Sequence, residues 1–410
     1  LRQHRDGVEW WSLGDRLTVG FHDGRTVVAN RRRSAEEALE GASGVAPDSA
    51  DLSASLDLER LRGLTALGGD RGLSELAELG SEPEAAFGLG DSLASFGAAD
   101  RVAFELTLRP NGAELSVHAD GARVLAPDPV DAAPTLPPHP DDLVRLRIRR
   151  DLADFVARTE ALADERSASL ARQLGQIEVL FGGLEVRREV LPAIGNDWQV
   201  VVREIDFADS PRPDLALPAA AVAVPLDDPS LRQPLVATFQ NLVAIRNVDV
   251  AQKGEGEPLL LRLAQTRDDG ALSAAHRIPP KAGEPIDTDY NLAPACAAVG
   301  KWFVLASHEE LLLELMDELP GDDAPAAAKA GEQLTLDARL AGQLLEQHAD
   351  SIALLVALRR GMDEARVADA IAQLAGALGQ LERFAMSVDP TESGACLRIG
   401  VGATSADARD

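Results

Sequence analysis

Leu52-Ser53-Ala54-Ser55-Leu56-Asp57-Leu58-Glu59-Arg60-Leu61 and Gln333-Leu334-Thr335-Leu336-Asp337-Ala338-Arg339-Leu340 state one pattern twice. Alternating apolar residues write a strand, and Asp57 or Asp337 stands where an N-cap would accept the free amides of a following helix. Val144-Arg145-Leu146-Arg147-Ile148-Arg149-Arg150-Asp151-Leu152 states it again, a strand running into a helix at Asp151. Strand, cap and helix in succession predict a sheet whose helices fold back on it.

Working outward, the neighbours of these stretches recur as well. Trp11 to Gly20 reads as strand, Gly turn, strand, and so does Ala298 to Ser307. Each precedes a helix-like segment, Ser34 to Leu39 or His308 to Leu319. Both arms end in a hairpin: Val102–Leu108 with Glu114–Val117 around Pro110-Asn111-Gly112, and Phe384–Val388 with Cys396–Val401 around Pro390 to Gly394. The Asn-Gly and Ser-Gly tips supply the positive φ of tight turns. Internal repetition of this kind indicates duplication.

Further strands are expected at Gln199–Ile205, Ala219–Val224, Leu259–Ala264 and Ser273–Arg277, with a helix near Asp228–Val243. Val367, Ile371, Leu374, Leu378 and Leu381 make one helical stripe expected to pack on a sheet. Leu152, Phe155, Val156, Leu162, Leu170, Leu174, Ile177 and Leu180 make another. The expected class is α+β: antiparallel sheets with amphipathic helices packed on one face, in a duplicated lobe architecture. The Pro-rich stretch 127–142 is the expected linker. It separates a partial first lobe, 1–126, from a complete second lobe, 143–410. The second lobe carries a helix and several strands before its Trp302 strand and the first carries none before Trp11. A matching segment is therefore expected upstream of Leu1, in a longer precursor.

The 410 residues carry 40 basic and 67 acidic side chains, a net charge of −27. Such a surface repels phosphate backbones, so nucleic acid is not an expected partner. Apolar runs such as Ile352–Leu358 fall far short of the ~20 residues of a membrane span. Arg31-Arg32-Arg33 reads as a solvated approach to a helix. Cys296 and Cys396 allow two readings, a disulfide in an oxidising compartment or two buried thiols. With no second pair, a zinc site is excluded.

Four stretches together resemble a bacterial family of predicted cell-envelope proteins with no assigned activity. They are Asp151 to Phe155; Glu189 to Gly195 with Asp197 to Val202; Val222 to Pro229; and Val299 to Ser307. The similarity covers most of residues 143–404. It implies an exported or envelope-attached protein in the periplasm or cell envelope, and it brings no catalytic residues.

No Gly-x-Ser-x-Gly elbow and no phosphate loop is present; Gly300-Lys301 leads into Trp302. The seven histidines form no i, i+4 pair, and Ser307 with Glu310 reads as a capping box. The paired aspartates read as turn and cap residues. No catalytic, cofactor-binding or metal residues are assigned, and no cofactor is expected. Trp10 and Trp11 cannot both enter one core from one strand, so one of them is a candidate interaction surface. The expectation is a non-enzymatic extracytoplasmic scaffold whose partner is another protein chain or the upstream part of its own precursor. The alternatives are a binder of an apolar small molecule or lipid on a concave sheet face, and a hydrolase whose site, such as His276 beside Asp268-Asp269, assembles only in space.

Overall fold

The computed structural model describes residues 2–5, 8–13, 17–22, 25–29, 52–57, 96, 99–109, 111–121, 134–161, 165–181, 183–207, 210–253, 259–267, 270–277, 286–321, 324, 331–391 and 393–402. In chain order, β1 is Arg2–Arg5, β2 Val8–Leu13, β3 Leu17–His22, β4 Arg25–Ala29, β5 Leu52–Asp57, β6 Arg101–Arg109, β7 Gly112–Asp120 and β8 Asp142–Arg149. Then come α1 Leu152–Ala161, α2 Glu165–Leu180, β9 Asp197–Arg203, β10 Ala219–Pro225, α3 Arg232–Lys253, β11 Leu260–Arg267, β12 Gly270–Arg277, β13 Ala295–Val299 and β14 Trp302–Ala306. The remainder is α4 Glu309–Glu318, β15 Glu332–Asp337, α5 Ala338–Gln347, α6 Ala349–Arg360, α7 Glu364–Gly379, β16 Arg383–Pro390 and β17 Gly394–Gly402. The fold is α+β, and its strand ladders are antiparallel.

The chain forms two compact units, 1–80 with 90–124 and 383–410, and 81–89 with 125–382. This division differs from the expected 1–126 and 143–410. The final hairpin leaves the second lobe because β17 pairs with β7 along nine residues, Gly394↔Asp120 to Gly402↔Gly112. The first unit holds a sheet β1-β2-β3-β4 and a sheet β16-β17-β7-β6-β5. The second holds the order β11-β12-β13-β14-β10-β9-β8-β15.

Strand registers match between corresponding hairpins. A shift of 277 residues carries β3–β4 onto β13–β14, Thr18↔Ala29 onto Ala295↔Ala306 and His22↔Arg25 onto Val299↔Trp302. A shift of 262 carries β1–β2 onto β11–β12, Arg2↔Trp11 onto Ala264↔Ser273. A shift of 282 carries β6–β7 onto β16–β17, Arg101↔Asp120 onto Arg383↔Gly402. The hairpin matching Val299–Trp302 is thus β3–β4, one hairpin later than the Trp11 stretch suggested. The same 282-residue shift carries the β7–β17 ladder onto itself. Its glycines agree: a Cβ on Gly112 would stand 2.3 Å from the Val401 carbonyl oxygen, and one on Gly394 2.0 Å from that of Ala119.

In the second unit the helices cover both faces of the sheet, not one. Period-two alternation sorts β13: Ala295 and Ala297 pack with Leu311, Leu312 and Leu315 of α4, while Cys296 and Ala298 pack with Val236, Phe239 and Val243 of α3. Alanines let both helices lie close to the strands. The α1–α2 stripe forms its own core, with Phe155, Val156, Leu170 and Leu174 buried together. The stripe of α7 meets helices instead of a sheet: Val367 and Ile371 pack with Ala353 of α6. Gly342 of α5 permits close approach, since a Cβ there would be 2.9 Å from the Ala375 carbonyl oxygen.

Aspartate caps stand where the sequence placed them. Asp151 accepts from the amide of Asp154 at 2.8 Å, Asp228 from Ser230 at 2.8 Å and Asp337 from Leu340 at 2.7 Å. At α4 the cap is His308 instead of Ser307. Its Nδ1 accepts from the Glu310 amide at 3.3 Å, while Ser307 Oγ accepts from the Ala220 amide at 2.9 Å. The described part of the proline-rich stretch, 134–141, is a bound strap. Gln199 accepts from the Leu136 amide at 2.7 Å and donates to the Pro134 carbonyl at 2.9 Å, and Leu136 is buried.

Candidate functional site

Four groups of residues bear on function: the sites singled out in the sequence, the buried ion pairs, the histidine cluster and the exposed apolar residues. Trp10 and Trp11 are adjacent positions of β2, opposite Gly20 and Val19 of β3, and so belong to opposite faces of that sheet. Cys296 and Cys396 are free and buried, so the disulfide is not made. Each thiol has its own strand neighbours: Cys296 is in register with Ser273 and Leu305, Cys396 with His118 and Asp389. Burial pushes the Cys296 thiol up to about 12 and raises Cys396 as well, which leaves both as protonated, weak nucleophiles.

Cys396 Sγ lies 4.0 Å from His118 Nε2, and the same nitrogen lies 3.7 Å from Glu105. One nitrogen shared by thiol and carboxylate is not the relay of a catalytic triad, where each ring nitrogen serves one partner.

The second unit buries its charges in pairs. Arg147 forks onto Asp197, its Nε 2.8 Å from Oδ1. Arg150 and Glu332 pair with both side chains wholly buried, tying the end of β8 to the start of β15. Arg203 donates to Asp142 at 2.9 Å, Glu314 at 3.1 Å and Glu318 at 2.7 Å. Burial opposes the Arg203 charge, but Glu318, Asp142 and Glu314 outweigh it and raise its pKa. In sequence, Arg145, Arg147 and Arg149 alternate along a strand that runs into a helix at Asp151. Arg145 pairs with Asp142 of its own strand, while the partner of Arg147 comes from β9, which no local pattern reveals. Buried pairs of this kind hold neighbouring strands in place.

His276 of β12 pairs with Glu309 at 2.8 Å, and Asp268-Asp269 lie outside the described residues. His308 is fully buried with its ring edge-on to Phe207, centroids 5.2 Å apart. Burial, then the charge of His276, lowers its pKa to about 4, so it stays a neutral helix cap. Among the described residues no group of three or more His, Cys, Asp or Glu could hold a metal ion, and no helix is long and apolar enough to cross a membrane. A depression of about 240 Å³ in the first unit is lined by Arg109, Asn111, Glu114 and Arg383 beside glycine backbone.

Exposed apolar residues concentrate on helices. On α6, Leu354, Leu355 and Leu358 are exposed, the last by 75%, followed by Met362 and by Leu374 of α7. The inward face of α6 buries only Ala353 among its residues. On α3, Leu242, Ile245 and Val248 form a second exposed row. β11 is the outer strand of its sheet, and α3 braces it: Asn247 donates to the Leu260 carbonyl and accepts from its amide, both at 2.9 Å.

No family model, no curated protein and no solved structure matches this chain.

Proposed function

We propose that this chain is a non-enzymatic interaction protein, a duplicated α+β scaffold that works in an assembly with another protein. The observation that carries this reading is α6. A stretch apolar on all sides belongs in an interior, yet over residues 352–358, all apolar, α6 turns Ala353 inward against Val367 and Ile371 and presents Leu354, Leu355 and Leu358 outward. Covering those side chains would gain on the order of 1.5–3 kcal/mol for each one fully buried. A location outside the cytoplasm, in the periplasm or cell envelope, is part of the proposal and rests on the sequence resemblance.

Light scattering on native material tests it. A particle heavier than the 43.4 kDa chain is expected, and Leu355→Lys with Leu358→Lys is expected to release the chain without lowering its melting temperature. A wild-type monomer with no co-purifying partner overturns the reading. Fractionation of the native cells tests the location.

A further inference from the structure

We propose that the outer edges of β4 and β5 receive a three-stranded antiparallel element of the β8–β9–β10 kind, supplied by a partner polypeptide. The inference rests on the scaffold reading and names the surface and the chemistry of its partner.

The second unit shows what these edges lack. There β14, the counterpart of β4, pairs with β10 from Ala221↔Ala306 to Pro225↔Trp302. β15, which carries the pattern of β5, pairs with β8 from Gln333↔Arg147 to Leu336↔Val144. β9 joins β10 to β8. Three strands therefore separate β14 from β15. In the first unit β4 ends one sheet and β5 ends the other. Among the described residues neither strand has a ladder on its outer side, and no strand corresponds to β8, β9 or β10. β4 and β5 lie near each other without pairing.

An open edge presents a row of backbone donors and acceptors that a further strand satisfies. Here two edges are open together, and both are of the kind that one element closes in the repeat. The partner's chemistry follows from that element. The strand meeting β5 alternates aliphatic residues with arginine, as Val144 to Arg149 does, which suits a chain of net charge −27. The strand meeting β4 is rich in alanine and valine, as Ala219 to Val224 is. A second copy of this chain does not serve, because its own β8 and β10 are already paired with β15 and β14. Seating the element requires β4 and β5, which lie near each other in its absence, to move to four strand spacings apart, about 19 Å.

The test splices a second copy of residues 134–258 ahead of Leu1, so that the chain enters β1 as it enters β11. Amide hydrogen exchange is then followed at 25–29 and 52–57. Both segments are expected to slow together, by roughly tenfold or more against the unmodified chain. Proline at the added copy's equivalents of Val144 and Leu146 is expected to abolish the gain at 52–57 and spare that at 25–29. A folded fusion in which both segments exchange at the original rate overturns the proposal. A second measurement needs no fusion. A synthetic peptide of residues 141–150, added to the unmodified chain, is expected to slow exchange at 52–57 in proportion to its occupancy, and a scrambled peptide is not. No slowing at millimolar peptide also overturns it. Native size is read separately: self-association through α6 with both edges unprotected removes this inference alone, whereas protected edges on a partnerless native monomer remove the scaffold reading.

Discussion

β5 and β15 share a sequence pattern and a place in the repeat, yet β15 lies against β8 and β5 ends its sheet. They also differ in their first residues. β15 opens with Glu332, buried against Arg150, and the matching position of β5 is Leu52. Alternation makes a segment a strand, and in β15 a buried ion pair adds to the ladder that holds it beside β8. The comparison teaches that the two copies diverged in their neighbours more than in their elements.

Making β15 resemble β5 is the harshest way to break that comparison. Glu332→Leu strands Arg150 in a site with no water, and a loss of about 3–5 kcal/mol is expected in urea unfolding followed by tryptophan fluorescence. Adding Arg150→Met should return most of it. An undisturbed single variant would show that the pair does not hold β15 in place.

Acid separates the copies next. His308 caps α4 with a pKa near 4, against about 6.5 when unfolded. Between those values the unfolded chain binds a proton that the folded chain does not, so stability rises with pH across the window. It is lost on acidification from about 6.5 to about 4, at up to about 1.4 kcal/mol per pH unit. His276, Glu309 and Glu310 are the ionisable groups at that helix end, with Phe207 against the ring. His308→Asn keeps a capping acceptor and is expected to flatten the slope of the urea midpoint against pH. A slope that persists assigns it to another group. By the 277-residue shift the first copy has Arg31 at this count, so the response belongs to the second copy alone.

The glycines of the β7–β17 ladder sharpen the comparison where the copies agree. Gly112→Ala and Gly394→Ala each force a methyl against a carbonyl, and each is expected to cost about 1–3 kcal/mol. Equal shifts of the melting temperature, additive in the double variant, are the expected result. Unequal shifts would mean that the ladder is symmetric in register and not in energy. The smallest effect belongs to the caps. Asp337→Ala is expected to cost about 1 kcal/mol, with Asp151→Ala alike within a few tenths, as measured by denaturant midpoint.

Much of this fold was legible because its signals are local. The aspartate caps and the alternation of β9 and β10 each occupy a few consecutive residues; the β6–β7 hairpin was legible too, but Gly112 opens β7 opposite Arg109, and neither it nor Gly394 takes the positive φ expected of them. The recurring order of elements was legible too, but its first hairpin was misaligned. Gly14 and Gly24 both follow strand-like stretches, and only paired registers show that His22–Arg25 matches Val299–Trp302. The correspondence of β1–β2 with β11–β12 was hidden by the longer connection between β12 and β13. The resting place of α7 was not legible, since Leu374 continues its stripe by spacing and is nevertheless exposed. The buried arginines were illegible for a different reason. Asp197 lies 50 residues from Arg147, and Glu318 lies 115 from Arg203. Local periodicity carries no information about such partners.

The β7–β17 ladder has one more consequence. Because the two corresponding strands meet antiparallel in a register that maps onto itself, this seam is isologous, like the interface of a closed dimer fused into one polypeptide. A seam of that kind is self-limiting: it joins two copies and offers no free surface to a third, so the protein cannot lengthen there into a fibre.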